Sequence, residues 1–98
     1  MIQHVALIKY PEPERPGFKE EAEELLHPFA TGIAGIRDFH WGWDISGRSR
    51  GYHLGLVMAF ETPAELAAYT PHPVHQAFSQ WTARQGGEVL AFDFPFAK

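Results

Sequence analysis

The chain contains no cysteine, and this absence removes several kinds of chemistry at once. Without thiols there is no disulfide framework, no thiolate nucleophile and no cysteine-rich zinc site. Histidine, aspartate and glutamate are the strong metal ligands that are left. Chemistry must therefore be sought among the six histidines and the twelve acidic residues, and we expect no cofactor.

Long apolar runs and clustered basic residues are missing too. No segment approaches the roughly 18 apolar residues of a membrane span, and the short apolar run in residues 1–10 has no basic leader before it. The eight Lys and Arg residues are scattered and the formal net charge is −4, so no basic face is offered to phosphates. We expect a cytoplasmic protein that binds neither membrane nor nucleic acid.

The chain does have enough apolar material for one packed core. It is 98 residues long and 45% hydrophobic, and that length is near the commonest size of a domain. Residues 1–98 are therefore expected to form a single domain.

Apolar periodicity and turn residues predict four strands, at about 2–10, 36–45, 52–61 and 89–96. The second and third strands should form a hairpin around a turn at 46–51. A helix is predicted from 18 to 29, where apolar residues recur at i, i+4, i+7, i+8 and i+11.

A second helical region begins with a capping box at Thr62 and continues to Gln85, with a break at Pro71 and Pro73. The resulting order, βαββαβ, is α+β and ferredoxin-like, with a four-stranded antiparallel sheet.

The first and third strands are apolar on both faces. Two helices can cover only one face of a four-stranded sheet, so the other face needs a partner. With a single domain available, the simplest partner is a second copy related by a two-fold axis. We predict a homodimer that packs through the open sheet face.

The residues best suited to acid/base chemistry lie within Tyr69-Thr70-Pro71-His72-Pro73-Val74-His75. With the strand order 4-1-3-2 expected for this topology, the third strand ends beside the start of the first, where His4 lies. The second helical region departs from that same end. We therefore predict a pocket there, between the sheet and the helices.

Structural roles are the alternatives for these side chains. Tyr69 could pack on the core, His72 could cap a helix, and His4 could be buried and hydrogen-bonded. A metal held by the three histidines is another alternative. Neither an HExxH motif nor an obvious carboxylate partner accompanies them, so we predict no metal site.

The chain resembles the stress-responsive A/B barrel domain family nearly end to end. Members are small ferredoxin-like chains that form dimeric α/β barrels, and the resemblance implies that architecture here. The matching residues are His4, Gly42, Asp44, Gly51, Tyr52, Phe60, Tyr69, His72, Pro73, His75, Phe92, Asp93 and Phe94.

The resemblance also implies a chemistry, because one member of the family closes a linear polyketide by an intramolecular aldol reaction. Its tyrosine and histidine are placed as Tyr69 and His75 are here. By that resemblance His75 is the base, Tyr69 donates a hydrogen bond to the enolate or alkoxide, and His4 orients the substrate. His72 is the predicted substrate-binding residue.

The implied substrate is a largely apolar carbonyl compound, and the implied reaction is of the cyclase, lyase or isomerase type. A non-catalytic binding or structural dimer linked to stress responses is the alternative. Oxygen-using monooxygenase chemistry is a third hypothesis.

Overall fold

The structure is a computed structural model that describes residues 1–97. Its four strands form one antiparallel sheet in the order β2-β3-β1-β4, so the predicted ferredoxin-like fold and strand order are confirmed. No helix in the described range is long and apolar enough to cross a membrane. The elements are β1 (Ile2–Lys9), α1 (Phe18–Leu26), α2 (Phe29–Gly32), β2 (Arg37–Trp43), β3 (Leu54–Phe60), α3 (Pro63–Tyr69), α4 (Pro73–Arg84) and β4 (Glu88–Pro95).

The first predicted helix is wrong in one respect, because it is broken in two. Helix α1 ends at Leu26 and a short helix α2 begins at Phe29. Pro28 separates them: it has no N–H for the helix ladder and disfavours helical geometry in the residue before it. The apolar spacing continues across the break, since Phe29 still reaches the core with no exposed surface.

The predicted break in the second helical region is confirmed. Thr62 caps α3, its side chain accepting from the Glu65 backbone N–H at 3.2 Å. Helix α3 ends at Tyr69, and α4 begins at Pro73. Proline fits the first position of a helix and not its interior, so the two prolines set both the end of one helix and the start of the next.

The helices cover one face of the sheet over β1, β2 and β3, and Phe29 lies where they meet. Its ring contacts Phe39 at 5.3 Å, Phe78 at 5.9 Å, Tyr69 at 6.2 Å and His75 at 6.4 Å between centroids. One fully buried ring from α2 therefore contacts the first half of β2, the end of α3 and the start of α4.

The other face of the sheet is uncovered and apolar, as the strand pattern predicts. Leu7 pairs with Leu90, Val5 with Phe92 and Gln3 with Phe94 across β1 and β4, and directly paired residues share a face. Among these, Leu7, Leu90, Phe92 and Phe94 are 37%, 51%, 64% and 39% exposed. Contiguous apolar surface of this kind is typical of an interaction site.

Replacing Phe29 by alanine should lower the free energy of unfolding by about 3–5 kcal/mol, because it removes a buried ring and leaves a cavity. Chemical denaturation followed by circular dichroism measures this loss. Ile45→Ala is the control, since Ile45 is fully exposed and should change stability by less than about 0.5 kcal/mol. Equal effects of the two substitutions would contradict the central role of Phe29.

Candidate active site

A cavity of about 290 Å³ lies between the sheet and helix α4. One end of it lies where β1 begins and α3 ends, and it extends along β1 to Ile8 and along α4 to Thr82. Its lining is mostly apolar, with Tyr69 and the two histidines at the first end and the hydroxyls of Ser79 and Thr82 further along α4. The lining residues are His4, Ala6, Ile8, Leu56, Tyr69, Thr70, His75, Phe78, Ser79, Thr82, Val89 and Ala91.

Tyr69 and His75 face each other at the end of the cavity where β1 begins. Their ring centroids are 4.4 Å apart with 52° between the ring planes, and the His4 ring meets Tyr69 edge-on at 5.6 Å. Tyr69 is the last residue of α3, His75 lies in the first turn of α4 and His4 is in β1. The structure therefore brings together the three residues that the sequence predicts to be catalytic.

The His75 ring is held by a backbone carbonyl. Its Nδ1 lies 2.8 Å from the Thr70 carbonyl oxygen. A carbonyl can only accept, so Nδ1 carries the proton, and in the neutral ring Nε2 holds the lone pair. His75 thus has the tautomer of a base that acts through Nε2.

Burial is the main reason why the pKa of His75 is lowered from its ordinary value of 6.5. The hydrogen bond to Thr70 acts in the opposite direction, and positive charge on His4 and His72 lowers the pKa further. The imidazole is therefore neutral at neutral pH.

Tyr69 has the opposite character. It is 4% exposed, and burial raises the pKa of its phenol above the ordinary value of 10.0. The phenol stays protonated at neutral pH, which makes it a hydrogen-bond donor rather than a base.

His4 has a carboxylate partner that the sequence analysis did not assign to the site. Its Nδ1 is hydrogen-bonded to Oδ1 of Asp93. The two residues are direct partners in the β1–β4 register, so their side chains leave the sheet on the same face. Because the carboxylate accepts from Nδ1, Nε2 is the nitrogen of the His4 ring that is left to face a ligand.

His72 lies outside this group, although it was predicted to bind substrate. It precedes Pro73 as the N-cap of α4, and its Nδ1 accepts from the Val74 backbone N–H at 3.1 Å. It is absent from the residues that line the cavity. The capping alternative describes its position, while a substrate contact through its other ring nitrogen stays a prediction.

Within residues 1–97, no group of three or more His, Asp or Glu side chains is arranged to hold a metal ion. The three imidazoles of the metal alternative, His4, His72 and His75, form no such group. His72 is turned to the start of α4, where its Nδ1 accepts from the Val74 N–H.

Besides Asp93, sequence reasoning missed other polar residues near the predicted ones, among them Thr70, Gln76 and Ser79. Thr70 supplies a carbonyl, which no side-chain pattern can reveal. Gln76 donates to that same carbonyl at 2.8 Å. Ser79 follows His75 by one helical turn, a spacing that places both on one face of α4 and is readable from the sequence.

The fold and the site define a small ferredoxin-like domain with histidines and a tyrosine at one end of an apolar cavity. The sequence model of the family described as "Stress responsive A/B Barrel Domain" matches residues 2–96, and the chain belongs to this family. A relative from Arabidopsis thaliana, the stress-response A/B barrel domain-containing protein HS1, is 30% identical over 98 residues, covering 95% of this chain and 87% of the relative.

Solved structures share the fold. A dimeric ferredoxin-like protein of unknown function from Thermobifida fusca has a TM-score of 0.83 and 22% identity, covering 97% of this chain and 90% of its own. The hydroxynitrile lyase of Passiflora edulis has a TM-score of 0.76 and 13% identity, covering 99% of this chain and 95% of its own. The same fold therefore occurs in a dimer and in an enzyme.

Replacing His4 by glutamine should raise the pKa of His75, because a positive charge on His4 lowers it. NMR titration of the imidazole resonances measures both states: wild-type His75 should titrate below 6.5, and His4→Gln should move it toward that value. Exposed His27 supplies the control, since His27→Gln should leave the His75 titration unchanged. A wild-type His75 that titrates above 6.5 would contradict the burial argument.

Proposed function

We propose that this protein is a homodimeric acid/base catalyst that binds a largely apolar carbonyl compound and removes a proton from the carbon beside the carbonyl group. The proposed base is His75, and the proposed electrophilic group is Tyr69. The reaction type is that of a cyclase, lyase or isomerase.

The observation that carries the proposal is the pairing of Tyr69 and His75 at the cavity wall. Their centroids are 4.4 Å apart, His75 is neutral with its Nδ1 bonded to Thr70, and Tyr69 is protonated. A base and an acid with well-separated pKa values, side by side in one cavity, are the usual parts of proton abstraction.

The chemistry follows from the two protonation states. Nε2 of His75 takes the proton, and the electron pair of the broken C–H bond moves onto the carbonyl oxygen, giving an enolate. The Tyr69 hydroxyl donates a hydrogen bond to that oxygen. In a cyclisation the enolate carbon then bonds to a second carbonyl carbon of the same molecule, and the imidazolium returns its proton to the new alkoxide.

His4 and Asp93 would orient the substrate. The carboxylate holds Nδ1 of His4, so Nε2 is left to accept a hydrogen bond from a hydroxyl or an enol of the substrate. The His4 ring also contacts Tyr69 edge-on, which restricts the rotation of the phenol. A polar end of this kind would fix the position and orientation of a substrate whose remaining part is apolar.

The rest of the cavity limits the substrate class. Apart from the hydroxyls of Ser79 and Thr82 its other walls are apolar, and Ala6 and Ala91 lie side by side on β1 and β4. Apolar walls with a few convergent polar groups are typical of small-molecule sites. The hydroxynitrile lyase among the fold neighbours supports an enzyme of lyase type on this fold, but at 13% identity it does not indicate the substrate.

The homodimer is proposed from the uncovered face of the sheet. Leu90, Phe92 and Phe94 of β4, together with Leu7, form an exposed apolar surface, and fold neighbours are described as dimeric. A second copy packed on this face would bury the surface symmetrically.

The catalytic proposal is tested by NMR-detected deuterium exchange of β-diketones and polyketide-like esters in D2O. We expect wild type to accelerate exchange, His75→Gln to lose about 10²–10⁴-fold of the rate, and Tyr69→Phe to lose roughly 10²-fold or more. Activity should fall as the pH drops through the pKa of His75, below 6.5, because the protonated ring cannot act as a base.

His27→Gln is the matched control for the exchange experiment, because it removes an exposed histidine that does not line the cavity. Exchange that is equally fast in wild type and His75→Gln would overturn the catalytic proposal. Tight binding of panel members without any exchange would favour the non-catalytic binding dimer instead.

The dimer is tested by sedimentation equilibrium of Phe92→Glu. A charge at the centre of the proposed interface should weaken association by about thirtyfold or more, the loss typical of an interface hot spot. Ile45→Glu is the control, since Ile45 is fully exposed and lies in the loop after β2. A wild-type chain that sediments as a monomer at micromolar concentration would rule the homodimer out.

A further inference from the structure

The Thr70 carbonyl accepts two side-chain hydrogen bonds. One comes from Nδ1 of His75 and the other from Nε2 of Gln76, each at 2.8 Å. A carbonyl oxygen has two lone pairs, so these two donors use its full capacity. The two side chains are adjacent in sequence and converge on one oxygen from the first turn of α4.

The backbone explains why this carbonyl is available. Thr70 is the C-cap of α3, and the last carbonyls of a helix have no partner within it. Pro71 follows and has no N–H to offer, while the next N–H, that of His72, bonds to the Tyr69 carbonyl at 3.1 Å. The Thr70 carbonyl is therefore left to the side chains of α4.

We infer that Gln76 is a positioning residue for His75: by donating to the Thr70 carbonyl, it holds that carbonyl where it fixes the His75 ring with Nδ1 protonated and Nε2 free. The orientation follows from geometry alone, whereas its use in catalysis rests on the proposed function.

Without Gln76 the Thr70 carbonyl would have one vacant lone pair and one fixed partner fewer. The Thr70 peptide could then tilt toward water, since Thr70 itself is exposed. His75 would follow the carbonyl or exchange its partner. Gln76 is partly buried, and its amide keeps the carbonyl between two fixed donors.

Gln76 also bears on the charge of His75. It holds the Thr70 carbonyl that accepts from Nδ1, and that hydrogen bond raises the pKa of His75. The other ionisable groups near the ring are His4 from β1 with its partner Asp93 from β4, Tyr69 from α3, and His72 from the start of α4. Loss of the amide should therefore lower the pKa of His75 as that bond loosens, whereas a carboxylate in its place should raise the pKa.

The experiment is nitrogen-15 NMR of the histidine imidazoles in the full chain, with Gln76→Met and Gln76→Glu. Methionine keeps the length of the side chain but cannot donate, and glutamate keeps the shape but only accepts. Wild-type His75 should show a single tautomer protonated on Nδ1. Both variants should show a tautomer mixture; the pKa of His75 should fall in Gln76→Met, which loosens the Thr70 bond, and rise in Gln76→Glu, which adds a negative charge.

Gln80→Met is the matched control, one helical turn further along α4 and exposed. It should leave the tautomer and the pKa of His75 as in wild type. If Gln76→Met also leaves both unchanged, or if wild-type His75 carries its proton on Nε2, the positioning role is wrong. A folded Gln76→Glu variant, judged by its NMR spectrum, keeps the test decisive if Gln76→Met fails to fold.

The NMR readout needs no substrate, so it separates this inference from the proposed reaction. Where exchange activity is present, Gln76→Met should lower kcat by up to about a hundredfold, the cost of a misplaced catalytic group, with KM unchanged. A tautomer shift in a protein without exchange activity would support the positioning and count against the function. Exchange activity without a tautomer shift would support the function and count against the positioning.

Discussion

The site depends on a constraint in the backbone, the two prolines that separate α3 from α4. Pro71 cannot extend α3 and Pro73 starts α4, so Tyr69 becomes the last residue of one helix and His75 enters the first turn of the next. The same break leaves the Thr70 carbonyl without a helical partner. Because that carbonyl holds His75, the helix break determines which imidazole nitrogen is free.

Packing then converts this geometry into chemistry. Phe29 touches both Tyr69 and His75. The buried environment that it helps to form raises the pKa of the Tyr69 phenol and lowers the pKa of the His75 imidazole. The phenol is kept protonated and the imidazole is kept neutral. An exposed pair with the same spacing would be hydrated and would lack this separation.

Signals of short range predicted the fold. The capping box at Thr62 and the two prolines act within a few residues, and each was readable from the sequence. The break at Pro28 was missed because the apolar spacing runs through it to Phe29, and the spacing outweighed the proline. The partners of the site residues were not predictable in this way. Asp93 meets His4 only through the register of β4 on β1, and Gln76 meets His75 only through a backbone oxygen.

Strand β4 links the two halves of the proposal. Val89 and Ala91 line the cavity and Asp93 holds His4, whereas Leu90, Phe92 and Phe94 point to the uncovered face. It is an edge strand, and all of its residues are exposed in a single chain. A partner packed on the uncovered face would hold β4 against β1 and reduce its local opening. The wall of the cavity and the carboxylate behind His4 would then be ordered by association, so that the homodimer and the site would depend on the same strand.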